Sequence, residues 1–281
     1  MGCFVKKRCT NVVTDVDKPD TLIEKRFTFG ENWTRFIREL NDDRIAEAEK
    51  SLCDYLAVEN LVGKRFLDAG SGSGLFSLAA MRLGATVYSF DFDLQSVACT
   101  RELKARYFPN DINWTVEQGS VLDQSYLESL GTFEYVYSWG VLHHTGAMLT
   151  AFGNVVPLVA NGGSLFVSIY NDQGFVSRYW AFVKYCYVQH WALRVLITAV
   201  HFPYVVGLRY LVRAITSKNL ERGMSLWYDM IDWIGGYPFE VARPEEVFEF
   251  YRNRGFNLVK LKTCSGRSGC NEFVFSRQSD V

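Results

Sequence analysis

A chain of 281 residues, 48% of them hydrophobic, has enough apolar content for one large α/β domain with insertions or for two small domains. Its 30 basic and 31 acidic residues leave a net charge of −1, so no overall positive field would draw the protein onto a nucleic acid, and no nucleic-acid partner is expected. Seven cysteines occur without a Cys-x-x-Cys pair, which disfavours a cysteine-bound metal and indicates reduced thiols in a cytoplasmic protein.

The beginning of the chain is predicted to be a tail followed by a helical cap. Lys6 stands where an N-myristoylation signal has Ser or Thr, so we expect residues 1–20 to be a mobile tail. Apolar residues at helical spacing between positions 42 and 56 predict a helix, and residues 21–63 are assigned to a helical N-terminal cap.

The segment RFLDAGSGSGL at 65–75 predicts a buried strand, a glycine-rich turn and the start of a helix. Gly70, Gly72 and Gly74 allow the backbone to turn sharply and to approach a ligand, and the following helix points free N–H groups at that ligand. A nucleotide-like cofactor is the natural occupant. The dinucleotide fingerprint would require glycine at Leu75, so a nicotinamide dinucleotide is disfavoured. The alternative is a plain tight turn between strand and helix.

Asp91 ends the second predicted strand, ATVYSFD, about twenty residues beyond the first glycine of the turn. A carboxylate at this place in a doubly wound sheet accepts hydrogen bonds from ribose hydroxyls. The more ordinary alternative is an acid at the N-terminus of the next helix, which is predicted over 94–106.

The middle of the chain continues to alternate strands with helices. Strands are predicted at 114–118, 133–140 and 164–170, with the sequence GSVLD at 119–123, a helix over 147–159 and a turn at 161–163. This alternation predicts an α/β protein with a mainly parallel sheet.

Residues 172–240 form an insertion after the fifth predicted strand. Only the fourteen residues 195–208 are free of formal charge, and they include His201 and Pro203, so no transmembrane helix is expected. The insertion carries the basic residues Arg178, Lys184, Arg194, Arg209 and Arg213. We expect helices with one apolar and one basic face, which form either a lid or a surface that contacts a membrane through 175–215.

A helix and two strands end the chain. The strands are predicted at 257–264 and 271–277, with a flexible turn between them. We assign residues 241–281 to the completion of the sheet that the earlier strands begin.

The ordered series DAGSGSG, Asp91, GSVLD, FEYVYSWGVLHHT and NGGSLFVSIY resembles the motifs of class I S-adenosylmethionine-dependent methyltransferases over residues 64–171. It looks most like the small-molecule branch related to ubiquinone-biosynthesis methylases. The resemblance implies a doubly wound, Rossmann-like α/β sheet of seven strands whose last strand is antiparallel. It also implies S-adenosylmethionine as cofactor and S-adenosylhomocysteine as product. The pair of C-terminal strands supports it, since nicotinamide dehydrogenase domains do not end in such a pair.

The resemblance assigns cofactor contacts to the glycine loop, the end of the second strand, the third motif, the fourth strand and an N-terminal flap. These are Asp68, Gly70, Ser71, Gly72 and Gly74; Asp91 and Phe92; Ser120, Val121 and Asp123; Ser138; and Trp33. The third motif departs from the family pattern, because Ser120 stands where an acid usually binds the adenine amino group. For the aromatic residues Phe29, Trp33 and Phe36, core packing is the alternative to a flap.

His143 and His144 follow the fourth strand at the carboxyl edge of the sheet, where open α/β folds bind ligands. With an ordinary pKa of about 6.5, a histidine here could act as a general base at neutral pH, and we favour His143. The alternative is that one histidine orients the following loop while the other packs inside. The candidate acceptor contacts are Tyr170, Asn171, Tyr237, Glu240 and Asn271, for which loop hydrogen bonding is the more ordinary role.

The predicted function is methyl transfer from S-adenosylmethionine to a small, lipophilic or glycolipid-like acceptor, most readily at oxygen with a histidine as base. No H-x-x-x-H or similar spacing occurs among the four histidines, so metal independence is expected. The alternatives are N- or C-methylation, and a regulatory or peripheral membrane protein that binds S-adenosylmethionine without catalysis. The sequence predicts no particular oligomeric state.

Overall fold

The computed structural model describes residues 26, 27, 29–203, 207, 231 and 233–279 of the chain. The predicted tail at 1–20 lies outside the described residues, as do residues 21–25 of the predicted cap. Most of 204–230 in the predicted insertion, including Arg209 and Arg213, also lies outside them.

The described helices and strands alternate along the chain as the sequence predicts, with one further helix, between the third and fourth strands, that was not predicted. The helices are α1 Gly30–Arg38, α2 Asp42–Leu56, α3 Leu75–Arg82, α4 Leu94–Tyr107, α5 Gln124–Leu130, α6 Met148–Val155, α7 Phe175–Gln189, α8 Trp191–Phe202 and α9 Pro244–Arg252. The strands are β1 Arg65–Ala69, β2 Thr86–Asp91, β3 Trp114–Gln118, β4 Phe133–Trp139, β5 Val159–Tyr170, β6 Phe256–Lys262 and β7 Cys270–Arg277. One turn of 3-10 helix covers Leu142–His144.

The seven strands form one sheet in the order β3-β2-β1-β4-β5-β7-β6. The pairs among β1 to β5 are parallel, and β7 is antiparallel to both of its neighbours. This confirms the predicted doubly wound α/β sheet with an antiparallel last strand. The strand order reverses between β1 and β4, and ligands of open α/β sheets bind beyond the carboxyl ends of the strands at such a point.

Both faces of the sheet are covered by helices. Leu67 of β1 belongs to a core cluster that contains Phe152 of α6 and Tyr251 of α9. The neighbouring residue Phe66 points to the other face, into a cluster that contains Leu52 of α2. Burial on both faces explains why the parallel strands are nearly continuous apolar runs in the sequence, and it leaves the carboxyl edge of the sheet for a ligand.

β5 begins earlier than the sequence predicts. Its bounds, Val159–Tyr170, include residues 161–163, which were expected to form a turn before the strand. The partners Phe133 and Tyr135 on β4 are two residues apart, whereas the residues opposite them on β5 are five apart, so β5 contains a bulge. Gly162 has a φ of +73°, so the turn-like backbone exists but lies inside the strand.

The described part of the predicted insertion contains α7 and α8. Their inner side chains form a third hydrophobic cluster, in which Trp180 and Tyr187 pack with Ile234. Lys184 lies on this inner side and is fully buried, while outer side chains such as Phe182 are apolar. The expected division into an apolar face and a basic face is therefore wrong at Lys184. None of the described helices combines the length and the apolar character that crossing a bilayer requires.

A chain of buried polar side chains links three strands to α3 beneath the glycine turn. The Ser77 hydroxyl on α3 donates to Asp68 of β1 at 2.5 Å and lies 2.7 Å from the hydroxyl of Ser89 on β2. Trp114 Nε1 on β3 donates to Ser89 at 2.9 Å. Each hydroxyl has one hydrogen to donate. Trp114 therefore donates to Ser89, Ser89 to Ser77 and Ser77 to Asp68, so the Asp68 carboxylate accepts the last hydrogen bond of the chain. Burial and the nearby Asp91 carboxylate raise the pKa of Asp68 to about 7, although the Ser77 hydrogen bond opposes this.

Replacement of Asp68 with asparagine tests the effect of this buried acid on stability. In the unfolded chain Asp68 ionises with a pKa of about 3.9, whereas the folded pKa is about 7. The folded state binds the Asp68 proton more tightly than the unfolded state does. The contribution of Asp68 to the free energy of unfolding is therefore fully present below about pH 4 and is lost as the pH rises to about 7. Between pH 5 and 8 we expect the free energy of unfolding of the wild type to fall by on the order of 2 kcal/mol more than that of Asp68→Asn. Chemical denaturation at the two pH values measures this difference.

Asp54→Asn is the matched control, because Asp54 is an exposed acid on α2. Its stability should follow the wild-type pH dependence. If Asp68→Asn also follows the wild type, Asp68 ionises in the folded protein without cost, contrary to this prediction.

Candidate active site

The loop between β1 and α3 has a backbone conformation that side chains would not tolerate. Gly70, Gly72 and Gly74 have φ values of +90°, +55° and +80°, in the left-handed region that favours glycine. A Cβ atom on Gly70 would lie 2.4 Å from the Val141 side chain, and one on Gly74 would lie 2.9 Å from the Thr100 Cα atom. Conformation and packing therefore both require these glycines.

Trp33 of α1 covers this loop from the N-terminal side. A Cβ atom on Gly72 would lie 3.2 Å from Trp33 Cε2. The Trp33 ring also packs edge-on against Phe36, with 6.2 Å between centroids, and against the core cluster of α2 and α3. Core packing and a position over the glycine loop, which were alternatives in the sequence, are therefore combined in one side chain.

Asp91 connects the end of β2 to the glycine loop. Its Oδ2 atom accepts a hydrogen bond from the Gly72 amide at 2.9 Å, and its Oδ1 atom accepts one from the Asp93 amide at 2.9 Å. Burial raises the pKa of Asp91 to about 6, although the two amide hydrogen bonds oppose this. Each carboxylate oxygen has a second lone pair, so Asp91 can hold the loop and accept hydrogen bonds from a bound diol at the same time.

Three other predicted cofactor residues have partners inside the protein. Asp68 belongs to the polar chain described above. Ser71 Oγ lies 2.9 Å from Thr100 Oγ1, and Ser138 donates to the Ala69 carbonyl oxygen at 2.9 Å. The side chains of Asp68, Ser71 and Ser138 are all buried, so in this structure their hydrogen bonds hold the loop against its neighbours.

The residues predicted to lie near adenine follow β3. Asp123 caps α5 by accepting a hydrogen bond from the Tyr126 amide at 3.0 Å. Ser120 Oγ accepts one from the Leu122 amide at 3.1 Å, and its hydroxyl hydrogen remains for donation. Val121 is buried in the core. Asp123 therefore has the ordinary role of a helix cap, while Ser120 has a group that a ligand could use.

His143 and His144 lie on the turn of 3-10 helix after β4. His143 is fully buried, and its ring centroid lies 4.5 Å from that of His144 and 4.1 Å from that of Tyr170. Within the described residues, neither ring nitrogen of His143 has a hydrogen-bond partner. His144 Nδ1 lies 2.6 Å from the Pro238 carbonyl oxygen. A carbonyl can only accept, so Nδ1 of the neutral ring carries the hydrogen and Nε2 keeps a lone pair.

Burial lowers the pKa of both histidines. The pKa of His144 falls to about 3, and the charges of Lys184 and Arg26 contribute to this, against the hydrogen bond to Pro238. The pKa of His143 lies well below 6.5 because of burial and the proximity of His144 and Lys184. Both rings are therefore neutral at pH 7. The expectation of an ordinary histidine pKa is therefore wrong. Each ring can accept a hydrogen bond through a nitrogen lone pair, but it takes up a proton less readily than an ordinary histidine does.

Among the predicted acceptor contacts, Tyr170 lies next to the histidines. Its ring is also 5.6 Å from that of Trp233, between centroids. Asn171 and Asn271 are bonded to each other, since Asn271 Nδ2 donates to Asn171 Oδ1 at 3.0 Å, and Asn271 Oδ1 accepts from the Cys264 amide. Tyr170 is thus the member of this group that faces the histidine pair.

Glu240 holds the loop that carries the histidines. Its carboxylate accepts hydrogen bonds from the amides of Gly146 at 2.9 Å and Met148 at 3.0 Å, at the start of α6. The Glu240 amide donates to the His143 carbonyl oxygen at 2.9 Å. Tyr237 packs in the hydrophobic cluster of α7. For Glu240 this is the loop hydrogen bonding that the sequence left open as the alternative, whereas for Tyr237 the structure shows packing.

Lys184 was not assigned to the site from the sequence, although the structure brings it close to the histidines. Its ammonium group donates to the Trp233 carbonyl oxygen, and it lies 4.6 Å from the Trp233 ring centroid and 4.8 Å from that of Phe239. A lysine is rarely fully buried. A single lysine within the apolar run of α7 was therefore a usable signal.

Arg26 was also missed. It donates to the Thr145 carbonyl oxygen at 2.7 Å and its guanidinium carbon lies 4.9 Å from the ring centroid of Phe92, which is half exposed. Arg26 thus connects the N-terminal segment to the end of β2 and to the histidine loop. Nothing in the surrounding sequence distinguishes this arginine from the others.

The described residues contain no group of three His, Cys, Asp or Glu side chains that could hold a metal ion. The described cysteines, Cys53, Cys99, Cys186, Cys264 and Cys270, are free thiols. The polar groups of the site are therefore amides, carboxylates, hydroxyls, imidazoles, the buried ammonium group of Lys184 and the half-buried guanidinium group of Arg26.

A family profile described as "Methyltransferase domain" matches residues 35–221. The match covers about two thirds of the chain and includes the glycine loop, Asp91, the histidine pair and the first part of the insertion.

Two curated relatives are similar to part of the chain. The ubiquinone biosynthesis O-methyltransferase of Xanthomonas campestris pv. campestris is 35% identical over 121 residues, which are 42% of this chain and 48% of that protein. The ribosomal protein L11 methyltransferase of Helicobacter hepaticus is 30% identical over 110 residues, which are 35% of this chain and 34% of that protein. The matched segment thus spans about a third to a half of the length of these relatives.

Solved structures share the fold at low sequence identity. The magnesium protoporphyrin IX methyltransferase from Synechocystis PCC 6803 with bound SAH has a TM-score of 0.54 at 14% identity, covering 92% of this chain and 99% of that chain. The [4+2]-cyclase SpnF has a TM-score of 0.52 at 11% identity, covering 83% of this chain and 81% of that chain. Together with the profile match, the seven-stranded sheet and the glycine loop establish that the chain belongs to the family of S-adenosylmethionine-dependent methyltransferases.

Proposed function

We propose that the protein transfers the methyl group of S-adenosylmethionine to an oxygen atom of a small, lipophilic acceptor bound beside His143 and His144. One observation carries this proposal. The glycine loop, Asp91 and the histidine pair meet at the carboxyl edge of the sheet, where the strand order reverses. The name of the O-methyltransferase relative supports oxygen as the methylated atom.

The cofactor would lie over the glycine loop, with its ribose hydroxyls toward Asp91 and its adenine toward Ser120. A ribose diol can donate to the second lone pairs of the Asp91 carboxylate, and each charge-assisted hydrogen bond contributes roughly 1.5–3 kcal/mol. Trp33 would cover the bound cofactor from the side of α1. In this arrangement Asp68, Ser71 and Ser138 hold the loop in place from inside the protein.

The reaction is an in-line displacement. A bond forms between the acceptor oxygen and the methyl carbon while the carbon–sulfur bond breaks, and S-adenosylhomocysteine leaves with the electron pair of that bond. The protein has to align the acceptor and provide a place for its proton. A lone pair of a neutral imidazole, either His144 Nε2 or a nitrogen of His143, can accept a hydrogen bond from the acceptor hydroxyl and take up its proton as the oxygen–carbon bond forms, when that hydroxyl becomes far more acidic.

The weak basicity of the histidines restricts the acceptor. A general base works best with a pKa near the working pH, and these rings have a lower pKa. A phenol or a carboxylic acid, which ionises readily, therefore fits the site better than an aliphatic alcohol does. Nitrogen is the second candidate atom, because a neutral amine brings its own lone pair.

The side chains around the histidines favour an acceptor with an apolar body. Tyr170 is 5.1 Å from Phe239 between ring centroids, and Trp233 is 5.6 Å from Trp180. This aromatic wall surrounds the buried Lys184 ammonium group. An aromatic or prenylated compound with an acidic hydroxyl would match the wall, and the nearby ammonium group would favour the loss of its proton.

Asp91→Asn tests the cofactor site. We expect the affinity for S-adenosylmethionine at pH 8 to fall at least about tenfold, because the ribose loses its charged acceptor. The wild-type affinity should fall by about tenfold from pH 8 to pH 5, because the Asp91 carboxylate takes up a proton below about pH 6. Calorimetric titration measures both effects. The variant should show less of this pH dependence, while the exposed Asp54→Asn variant should behave as the wild type. If Asp91→Asn and the wild type bind S-adenosylmethionine with equal affinity at pH 8, Asp91 does not contact the bound cofactor.

His143→Ala and His144→Ala test the acceptor site. The full chain is incubated with methyl-labelled S-adenosylmethionine and a small-molecule extract of the source cells, and the label in extracted products is counted. We expect at least one variant to lose about tenfold or more of the transfer rate while its affinity for S-adenosylmethionine stays unchanged. With S-adenosylmethionine at saturation, so that protonation of Asp91 does not limit binding, the wild-type rate should show no titration with a pKa near 6.5, because both rings are neutral.

His190→Ala is the matched control for these variants, because His190 is exposed at the junction of α7 and α8. Normal rates in both site variants would exclude a catalytic role for the histidines. If the wild type binds S-adenosylmethionine and labels no product, the regulatory alternative without catalysis replaces this proposal.

A further inference from the structure

The outer face of α7 and α8 is unusually apolar. We define the lid face as ten side chains that are between 41% and 78% exposed: Phe175, Val176, Tyr179, Phe182 and Tyr185 on α7, and Trp191, Val195, Leu196, Val200 and Phe202 on α8. Only seven other large hydrophobic side chains of the described residues are exposed. Exposed apolar surface is thus concentrated on two helices, and a concentration of this kind marks an interaction site.

Helical spacing explains why the lid face is continuous. Residues 175, 179 and 182 on α7 follow one another at intervals of four and three, so they lie on one side of the helix. The other side of α7, which includes Trp180 and Tyr187, is buried in the cluster beside the histidines. α7 therefore has two apolar sides. The inner side is packed in that cluster. On the outer side, Tyr179 is hydrogen-bonded to His201 and Tyr185 packs edge-on against Tyr237, while Phe175 and Phe182 remain largely exposed.

The charged side chains of α7 and α8 have one sign. The sequence between Asp172 and Glu221 contains no Asp or Glu and six Lys or Arg residues, in a chain whose net charge is −1. Of these basic residues, Arg178 and Arg194 are exposed on α7 and α8. An apolar surface with exposed arginines, and with tryptophan and tyrosine among its exposed residues, suits the boundary between lipid headgroups and acyl chains.

We propose that the lid face rests on the surface of an anionic phospholipid bilayer. α7 has 15 residues, which give a length of about 22 Å, too short to cross a hydrocarbon layer of about 30 Å. It would therefore lie in the plane of the interface, with Phe182 and Trp191 among the acyl chains and Arg178 and Arg194 at the phosphates. Two copies of the chain joined through this face would bring the arginines of α7 and α8 together, and neither helix carries an acid to pair with them, so a bilayer matches the charge better.

This contact would give α7 a second role, which rests on the proposed function. The inner side of the helix carries Trp180 and Lys184 toward the proposed acceptor site, and the outer side would lie on the membrane. A lipophilic acceptor dissolved in the bilayer could then enter beneath α7 without crossing water. The acceptor would accordingly be a compound that partitions into membranes.

Co-sedimentation of the full chain with vesicles tests the contact. One vesicle preparation is phosphatidylcholine alone, and the other is phosphatidylcholine with an equal amount of phosphatidylglycerol. We expect the protein to bind the mixed vesicles, to bind phosphatidylcholine more weakly, and to lose binding as salt is raised. The double variant Phe182→Ser/Trp191→Ser should bind the mixed vesicles about tenfold or more weakly, because two large apolar side chains no longer insert.

Val62→Ser/Ile112→Ser is the matched control, because these side chains are 69% and 91% exposed outside the lid face. It should bind vesicles as the wild type does. Circular dichroism and S-adenosylmethionine affinity, which should be unchanged in both double variants, show that each is folded and that cofactor binding is independent of the lipid contact.

Two results would overturn the bilayer proposal. The first is that the wild type binds neither kind of vesicle. The second is that the lid-face variant binds the mixed vesicles as well as the wild type does. If vesicles are not bound and gel filtration shows a dimer that the lid-face variant loses, a second copy covers the face instead. None of these outcomes changes the titration with S-adenosylmethionine, which tests the proposed function independently of the lipid contact.

Discussion

The hydrogen bond from the Gly72 amide to the Asp91 carboxylate sets the geometry on which the candidate site depends. β1 and β2 are parallel neighbours, so their carboxyl ends lie side by side, and this bond joins the turn after β1 to the end of β2. The turn needs a left-handed backbone at Gly72, which glycine adopts without steric cost. Beneath it, the hydrogen bond from Ser77 to Asp68 connects α3 to β1. The loop is thus ordered by contacts within the protein, so little of the binding free energy of a cofactor would be lost in ordering the loop.

Burial on the acceptor side has a chemical consequence. His143 is fully buried, and burial together with the neighbouring His144 and the Lys184 charge keeps its ring neutral. The enclosure that would bind a lipophilic acceptor therefore weakens both histidines as general bases. Because the sulfonium of the cofactor is a strong methyl donor in its own right, alignment of an acceptor that ionises easily is the chemistry that this enclosure suits. Glu240 contributes indirectly, since it fixes the loop that carries both histidines.

The parts of the fold that follow from local sequence could be predicted, and the parts that follow from packing could not. The alternation of strands and helices, the glycine loop and the place of Asp91 depend on periodicity and spacing, which are visible in the chain, and the antiparallel last strand was implied by the family resemblance. The start of β5 was misplaced because residues 161–163 have the composition of a turn, and only the pairing with β4 draws them into a strand. Lys184 lies on the buried side of α7 because Trp233 and the residues near it pack against that side, and no local pattern in the sequence reports this packing. The lowered histidine pKa values likewise depend on burial that no local pattern reports.

The central claim is that the glycine loop after β1 binds an S-adenosyl compound and not a dinucleotide. Calorimetric titration of the full chain with S-adenosylmethionine, S-adenosylhomocysteine and NAD tests it most directly. We expect each S-adenosyl compound to bind one-to-one, the second to compete with the first, and NAD to give no heat of binding. Binding of NAD in place of the S-adenosyl compounds, or no binding of either S-adenosyl compound, would contradict the account.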